Sequence, residues 1–139
     1  MSDGGAGATV LVVDDSYTSR YLLHTVLEYR GYHSVEARTG ALALGMLAAV
    51  QPAVVVCDVV MPDMDGYQLA RQMKADEAMA AVPVIFYTST YPSLGARPTA
   101  EQLQLGQVVA KTGDLDALID AVENMLKHHV VGSRQLGAA

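Results

Sequence analysis

The sequence has no tryptophan, one phenylalanine and one cysteine, and only 17% of its residues are charged. With aromatics at 6%, a core has to be built from Val, Leu, Ala and Met. The lone Cys57 excludes an internal disulfide and suits a reducing compartment. Positive charge is scarce: 9 Lys and Arg face 15 Asp and Glu, for a net charge of −6. That balance disfavours nucleic acid and anionic membrane surfaces as direct partners. Long apolar runs are missing too. The stretch "ALALGMLAAV" is about half of the roughly 20 residues a membrane-spanning helix needs. The opening "MSDGGAGA" has neither the basic nor the apolar region of a secretory signal. These absences leave a globular, cytoplasmic protein as the expectation, and 139 residues suffice for one domain with its own core.

What is present is a repeated alternation. Residues 1–8, rich in Gly and Ala, read as a flexible lead-in. "TVLVV" reads as a strand apolar throughout, and therefore covered on both faces. Ser16 is placed to cap a helix from Tyr17 to Arg30, stopped by Gly31. "YHSVEA" reads as a second strand, and Thr39 caps a helix from Gly40 to Ala49, ended at Gln51-Pro52. "AVVVCD" is the third strand, followed by the loop "VVMPDMDG" and a helix from Gly66 to Lys74. "PVIFYT" and "QVVA" are strands four and five. The segment between them, with Pro92, Gly95 and Pro98, leaves room only for a short helix near Thr99 to Leu105. The last helix is expected from Leu115 to His128, and residues 129–139 read as a tail or the start of a linker. Short apolar strands alternating with amphipathic helices predict a parallel sheet with helices on both faces. Function then collects at the carboxyl ends of the strands.

Polar residues do collect there. Asp14 and Asp15 follow strand one, Asp58 ends strand three, Thr88 ends strand four and Lys111 follows strand five. Singly, each has an ordinary reading: Asp15-Ser16 as a helix start, Thr88 as a sheet residue, Lys111 as a surface cation. Their joint occurrence at four strand ends is what those readings explain poorly. Three converging carboxylates repel, and a hard divalent cation with oxygen ligands relieves them. A nucleophilic carboxylate, a hydroxyl, an ammonium and a cation together can accept a phosphoryl group. Asp63 and Asp65 read as loop and turn residues, Cys57 as a buried strand thiol, and the four histidines as helix or tail surface.

"VLVVDDS", "VVVCDVVMPDMDG", "PVIFYTS" and the late Lys111 resemble the receiver domain of two-component response regulators, the CheY-like superfamily. The resemblance runs from about Thr9 to Lys127. It implies a flavodoxin-like, doubly wound α/β fold, a five-stranded parallel sheet in the order 2-1-3-4-5, with the receiver domain over residues 9–128. It makes Asp58 the phosphoacceptor, served by a histidine kinase or a histidine phosphotransfer protein. Mg²⁺ would be held by Asp15, Asp58 and the Val60 backbone carbonyl, with Asp14 acting mostly through water. Thr88 and Lys111 would meet the phosphoryl group. A protein of this kind is a signalling phosphoacceptor rather than an enzyme, catalysing only its own phosphotransfer and slow dephosphorylation. A downstream protein, or a second copy in a homodimer, would use the face made by the family's fourth helix, fifth strand and fifth helix.

Three departures stand out. Val108 occupies the place of the family's usual aromatic, and Thr112 that of the usual proline after the lysine. The segment before strand five is rich in Pro and Gly where a helix is usual. They leave a competing reading, a pseudo-receiver that acts as a protein-interaction module without phosphorylation. Against it stands the complete acid, hydroxyl and ammonium set. A flavin or nucleotide binder on the same fold is disfavoured: "SYTS" is hydroxyl-rich, but two aspartates stand where a ligand phosphate would sit and no Gly-rich cradle exists. Val60 and Thr90, neither a good water-positioning group, imply a long-lived acyl phosphate.

Overall fold

The computed structural model describes residues 7–89 and 104–138, with side chains as far as residue 127 in the last helix. The elements are β1 (Thr9–Val13), α1 (Tyr17–Tyr29), β2 (His33–Ala37), α2 (Gly40–Val50), β3 (Val54–Cys57), α3 (Gly66–Lys74), β4 (Val84–Thr88), β5 (Gln107–Ala110) and α4 (Asp116–Ala138). The five strands form one sheet in the order β2-β1-β3-β4-β5, every pair parallel. This is the flavodoxin-like order that the resemblance implies.

Alternation along the strands divides the core into two layers, because successive side chains of a strand face opposite ways. Val10, Val12, Val54, Val56, Ile85 and Tyr87 pack with Leu23 and Leu27 of α1 and Leu118, Ile119 and Val122 of α4. Leu11, Val13, Val55, Cys57 and Phe86 pack with Ala43 and Leu47 of α2 and Leu69 and Met73 of α3. Strands buried on both faces need apolar residues at every position, which is why β1, β3 and β4 carry no alternating polar residues.

The helix starts follow from side-chain chemistry. Ser16 Oγ accepts from the Ser19 amide at 3.2 Å, and Thr39 Oγ from the Leu42 amide at 3.0 Å. Asp65, read from the sequence as a turn residue, caps α3. Its carboxylate accepts from the Gln68 amide at 2.8 Å while Gln68 Oε1 accepts from the Asp65 amide at 2.9 Å, a reciprocal box that satisfies two amides at once. After α1, Gly31 turns the chain with φ +93°, a conformation open to glycine at little cost.

Two sequence expectations shift. The last helix was placed to His128, but α4 runs to Ala138. The stretch after His128 contains no proline, and its two glycines, Gly132 and Gly137, lower helix propensity without forbidding it. The expected short helix near Thr99 to Leu105 falls largely outside the described residues, although Gln104 and Leu105 are helical. Among the described residues no helix is long and apolar enough to cross a membrane.

Candidate functional site

The carboxyl edge of the central strands gathers the expected acids. β1 ends at Val13 and β3 at Cys57, and these two residues are paired in register. The sheet hydrogen bonding continues one step further, with the Asp58 amide donating to the Val13 carbonyl at 2.9 Å and the Asp14 amide to the Ala37 carbonyl at 3.2 Å. One carboxylate oxygen each from Asp14, Asp15 and Asp58 lies within 4.8 Å of the others. Asp14 is 2% exposed, Asp15 is exposed and Asp58 is half-buried.

Lys111 enters from the end of β5. Its amide donates to the Thr88 carbonyl at 2.8 Å, fixing where its side chain starts. Its ammonium donates to Asp14 Oδ2 at 2.9 Å and to Asp58 Oδ2 at 3.3 Å. It also stands 5.5 Å from the centre of the Tyr87 ring, within cation–π range. Partial burial pushes the Lys111 ammonium down, but its hydrogen bond to Asp14, then the charges of Asp58 and Asp14, outweigh burial and hold it above the usual lysine range.

Asp14 is the most occupied of the three acids. Oδ1 accepts from the Ser16 amide at 2.9 Å, and Oδ2 accepts from Ser19 Oγ at 2.8 Å as well as from Lys111. Its carbonyl accepts from Arg20 Nη1 at 2.7 Å, while Arg20 Nε pairs with Glu36 Oε1 at 3.2 Å. His24, expected on a helix surface, is half-buried, with Nδ1 3.9 Å from Glu36 Oε2. Asp58 is freer: Oδ1 accepts the Val60 amide at 3.3 Å. Asp15 takes no donor among the described residues. Three carboxylates against one ammonium leave an excess of negative charge, and the oxygens with spare lone pairs belong to Asp15 and Asp58. That donor set suits a hard divalent cation that keeps several waters beside one or two carboxylates.

Of the other expected residues, Thr88 and Val60 adjoin this centre through their backbone bonds to Lys111 and Asp58. Thr88 is buried at the end of β4, beside the start of Lys111. Val60 is 57% exposed, over the acidic edge. Val108 pairs with Phe86 in the sheet register and is half-buried; Thr112 is exposed. Thr90 lies outside the described residues. Behind the site, a Cβ at Gly66 would overlap the carbonyl oxygen of Asp58 and stand 3.0 Å from Cys57 Sγ, so the "MDG" glycine lets α3 start against the acid-bearing turn. Cys57 itself is 0% exposed; burial pushes its thiol up, and the charge of Asp58 adds to the effect.

Sequence reasoning missed Ser19 and Arg20. The signal for Arg20 was weak, one basic residue in a helix. The signal for Ser19 was its place in the first turn of a helix that starts at the acid pair, where a hydroxyl can turn back toward β1.

Comparison with known proteins places this arrangement. Residues 10–123 match the family model of the response regulator receiver domain. The chain is 38% identical over 82 residues to protein PilH of Pseudomonas aeruginosa, covering 59% of this chain and 68% of that protein. It is 31% identical over 117 residues to sporulation initiation phosphotransferase F of Bacillus subtilis, covering 84% of this chain and 92% of that protein. Among solved structures it resembles response regulator protein TrrA of Thermotoga maritima in complex with Mg²⁺-BeF, with 26% identity and a TM-score of 0.73 over 85% of this chain and 98% of that one.

Proposed function

Since the chain belongs to the response regulator receiver domain family of two-component systems, we propose that it accepts a phosphoryl group on Asp58 from a histidine kinase or a histidine phosphotransfer protein. The observation that carries this reading is the Asp58 carboxylate, with Lys111 3.3 Å from one oxygen and Asp14 and Asp15 gathered beside it. An Asp58 oxygen attacks phosphorus, forming the O–P bond of an acyl phosphate. The P–N bond of the donor phosphohistidine breaks, and its electron pair stays on the imidazole nitrogen. Lys111 offers its donors to the phosphoryl oxygens, and Thr88, on the neighbouring strand, offers its hydroxyl. Asp15, Asp58 and the Val60 carbonyl would hold Mg²⁺, with Asp14 reaching it through water. The ion, when bound, supplies charge neutralisation to the phosphoryl oxygens.

The exposed Val60 has no group to align an attacking water over Asp58, so we propose a slow loss of the phosphoryl group. The protein is in this reading a cytoplasmic signalling phosphoacceptor, and its chemistry stops at its own phosphorylation and dephosphorylation. The face around β5 and α4 serves a downstream protein or a second copy. With Val108 at the usual aromatic position, that face responds to phosphorylation without an inward-moving ring.

Intact mass after incubation with Mg²⁺ and acetyl phosphate, beside Asp58→Asn, tests the assignment. One phosphoryl adduct, cleaved by hydroxylamine and absent from the variant, is the expected result. A second incubation with phosphorylated histidine donors completes it: a wild type that takes no adduct from either donor is a phosphorylation-independent interaction module, the reading Val108 and Thr112 favour. A half-life of the adduct of seconds in Mg²⁺ would contradict its slow loss.

A further inference from the structure

Asp14 poses a problem for the proposed phosphorylation. It is a buried carboxylate, 2% exposed, and its nearest countercharge is the Lys111 ammonium at 2.9 Å. The same ammonium is the one that has to meet the phosphoryl group on Asp58. As Lys111 turns toward the new oxygens, its hold on Asp14 loosens, and Asp14, closed off from bulk solvent, keeps only the water it shares with the cation and the donors of its own turn. A buried charge left short of donors is costly, and that cost would oppose the reaction.

Ser19 answers it. Its hydroxyl donates to Asp14 Oδ2 at 2.8 Å, the very oxygen Lys111 holds. Ser16 already caps α1 by accepting the Ser19 amide, so the Ser19 hydroxyl is not consumed by the helix start. The capped turn instead fixes where Ser19 stands. Arg20, next in the chain, ties the Asp14 carbonyl to Glu36 of β2, so backbone and side chain of Asp14 are held from the same turn of α1. The Ser16 amide keeps Oδ1. With Lys111 gone, Oδ1 and Oδ2 each still accept one bond.

We propose that Ser19 is a positioning residue, whose hydroxyl keeps Asp14 satisfied while Lys111 transfers its donors from Asp14 to the phosphoryl group on Asp58. The proposal rests on the phosphoacceptor reading above. Its role is in the chemical step rather than in cation binding, because Asp15 and Asp58 carry the freer oxygens.

The experiment compares wild type, Ser19→Ala and Ser19→Thr. It follows the rate of adduct formation by intact mass at saturating Mg²⁺ and acetyl phosphate, and the Mg²⁺ dissociation constant by calorimetry. A urea unfolding curve confirms that each variant is folded. Ser19→Ala is expected to slow adduct formation about tenfold, the scale of one hydrogen bond to a charged group. Its Mg²⁺ dissociation constant should stay within about threefold of wild type. Ser19→Thr, which keeps the hydroxyl, should restore the rate to within about threefold. Three results overturn the proposal: an unchanged rate in Ser19→Ala, a rate loss matched by an equal loss of Mg²⁺ affinity, or a folded Ser19→Thr as slow as Ser19→Ala. The wild type separates the two readings. An adduct on wild type with an equal rate on Ser19→Ala defeats only the role of Ser19; no adduct on wild type from acetyl phosphate or from a phosphorylated histidine donor overturns both.

Discussion

Lys111 Nζ stands 2.9 Å from Asp14 Oδ2 and bridges, at 3.3 Å, to Asp58 Oδ2. Removing that bridge by Lys111→Met leaves three acids facing one another. The pair is only partly buried, so a loss of about 1–2 kcal/mol in chelator is expected. The sign with pH follows from the lysine being held above its usual range. Its contribution is fully present below the unfolded lysine value of about 10.4 and is lost as pH rises through the higher native value. Urea midpoints of wild type and Lys111→Met should therefore differ by a constant amount from neutral pH to about pH 10 and converge above it. Parallel curves throughout would show that Lys111 is not paired.

Divalent cation should stabilise the wild type, because the bound ion favours the native state by mass action. Asp15→Asn removes a carboxylate from the acid group without disturbing any hydrogen bond among the described residues. The urea midpoint is expected to rise with Mg²⁺ in wild type and to rise much less in Asp15→Asn. An equal rise in both would place the ion elsewhere.

Gly66→Ala forces a methyl group against the Asp58 carbonyl and to 3.1 Å from the Val59 Cα. These are backbone atoms that cannot swing aside, so a cost of about 1–3 kcal/mol is expected. The same displacement moves the acid-bearing turn, and the adduct rate at saturating Mg²⁺ should fall with it. Full stability in this variant would show that the β3–α3 turn has slack.

Cys57 should be inert in the native protein. It is fully buried between the sheet and α3, and its thiol is held far above the range in which thiolate forms at neutral pH. Its reaction with a disulfide reagent is expected only at the rate of unfolding, measured by raising urea. Fast labelling in buffer would contradict the packing of β3.

The strand ends were legible because the apolar runs stop where the acids begin: Val13 to Asp14 and Cys57 to Asp58 mark both the end of the strand and the start of chemistry. The sheet order came from the resemblance to the receiver family, and the grouping of Asp14, Asp15 and Asp58 follows from those boundaries once β1 lies beside β3. Asp65 was harder. "MDG" has the composition of a turn, and the reciprocal bond with Gln68 that makes it a helix cap depends on how the chain enters α3. Arg20 was not legible and Ser19 only faintly so, from its place in the first turn of α1, because their partners are chosen by the angle at which α1 leaves β1. The end of α4 was misplaced because the sequence there supports a helix as readily as a tail, and propensity is a weak guide without a packing partner.

The Asp14–Lys111 contact joins residues 97 positions apart in the chain. Contacts of such long separation form late, since the loop they close must first be ordered. A chain emerging from the ribosome therefore presents its acid pair long before the lysine that neutralises it has been made. Until β5 docks at the edge of the sheet, that end of the nascent domain carries uncompensated negative charge. Docking of β5 brings in the lysine that follows it, and with it the electrostatic balance on which the chemistry depends.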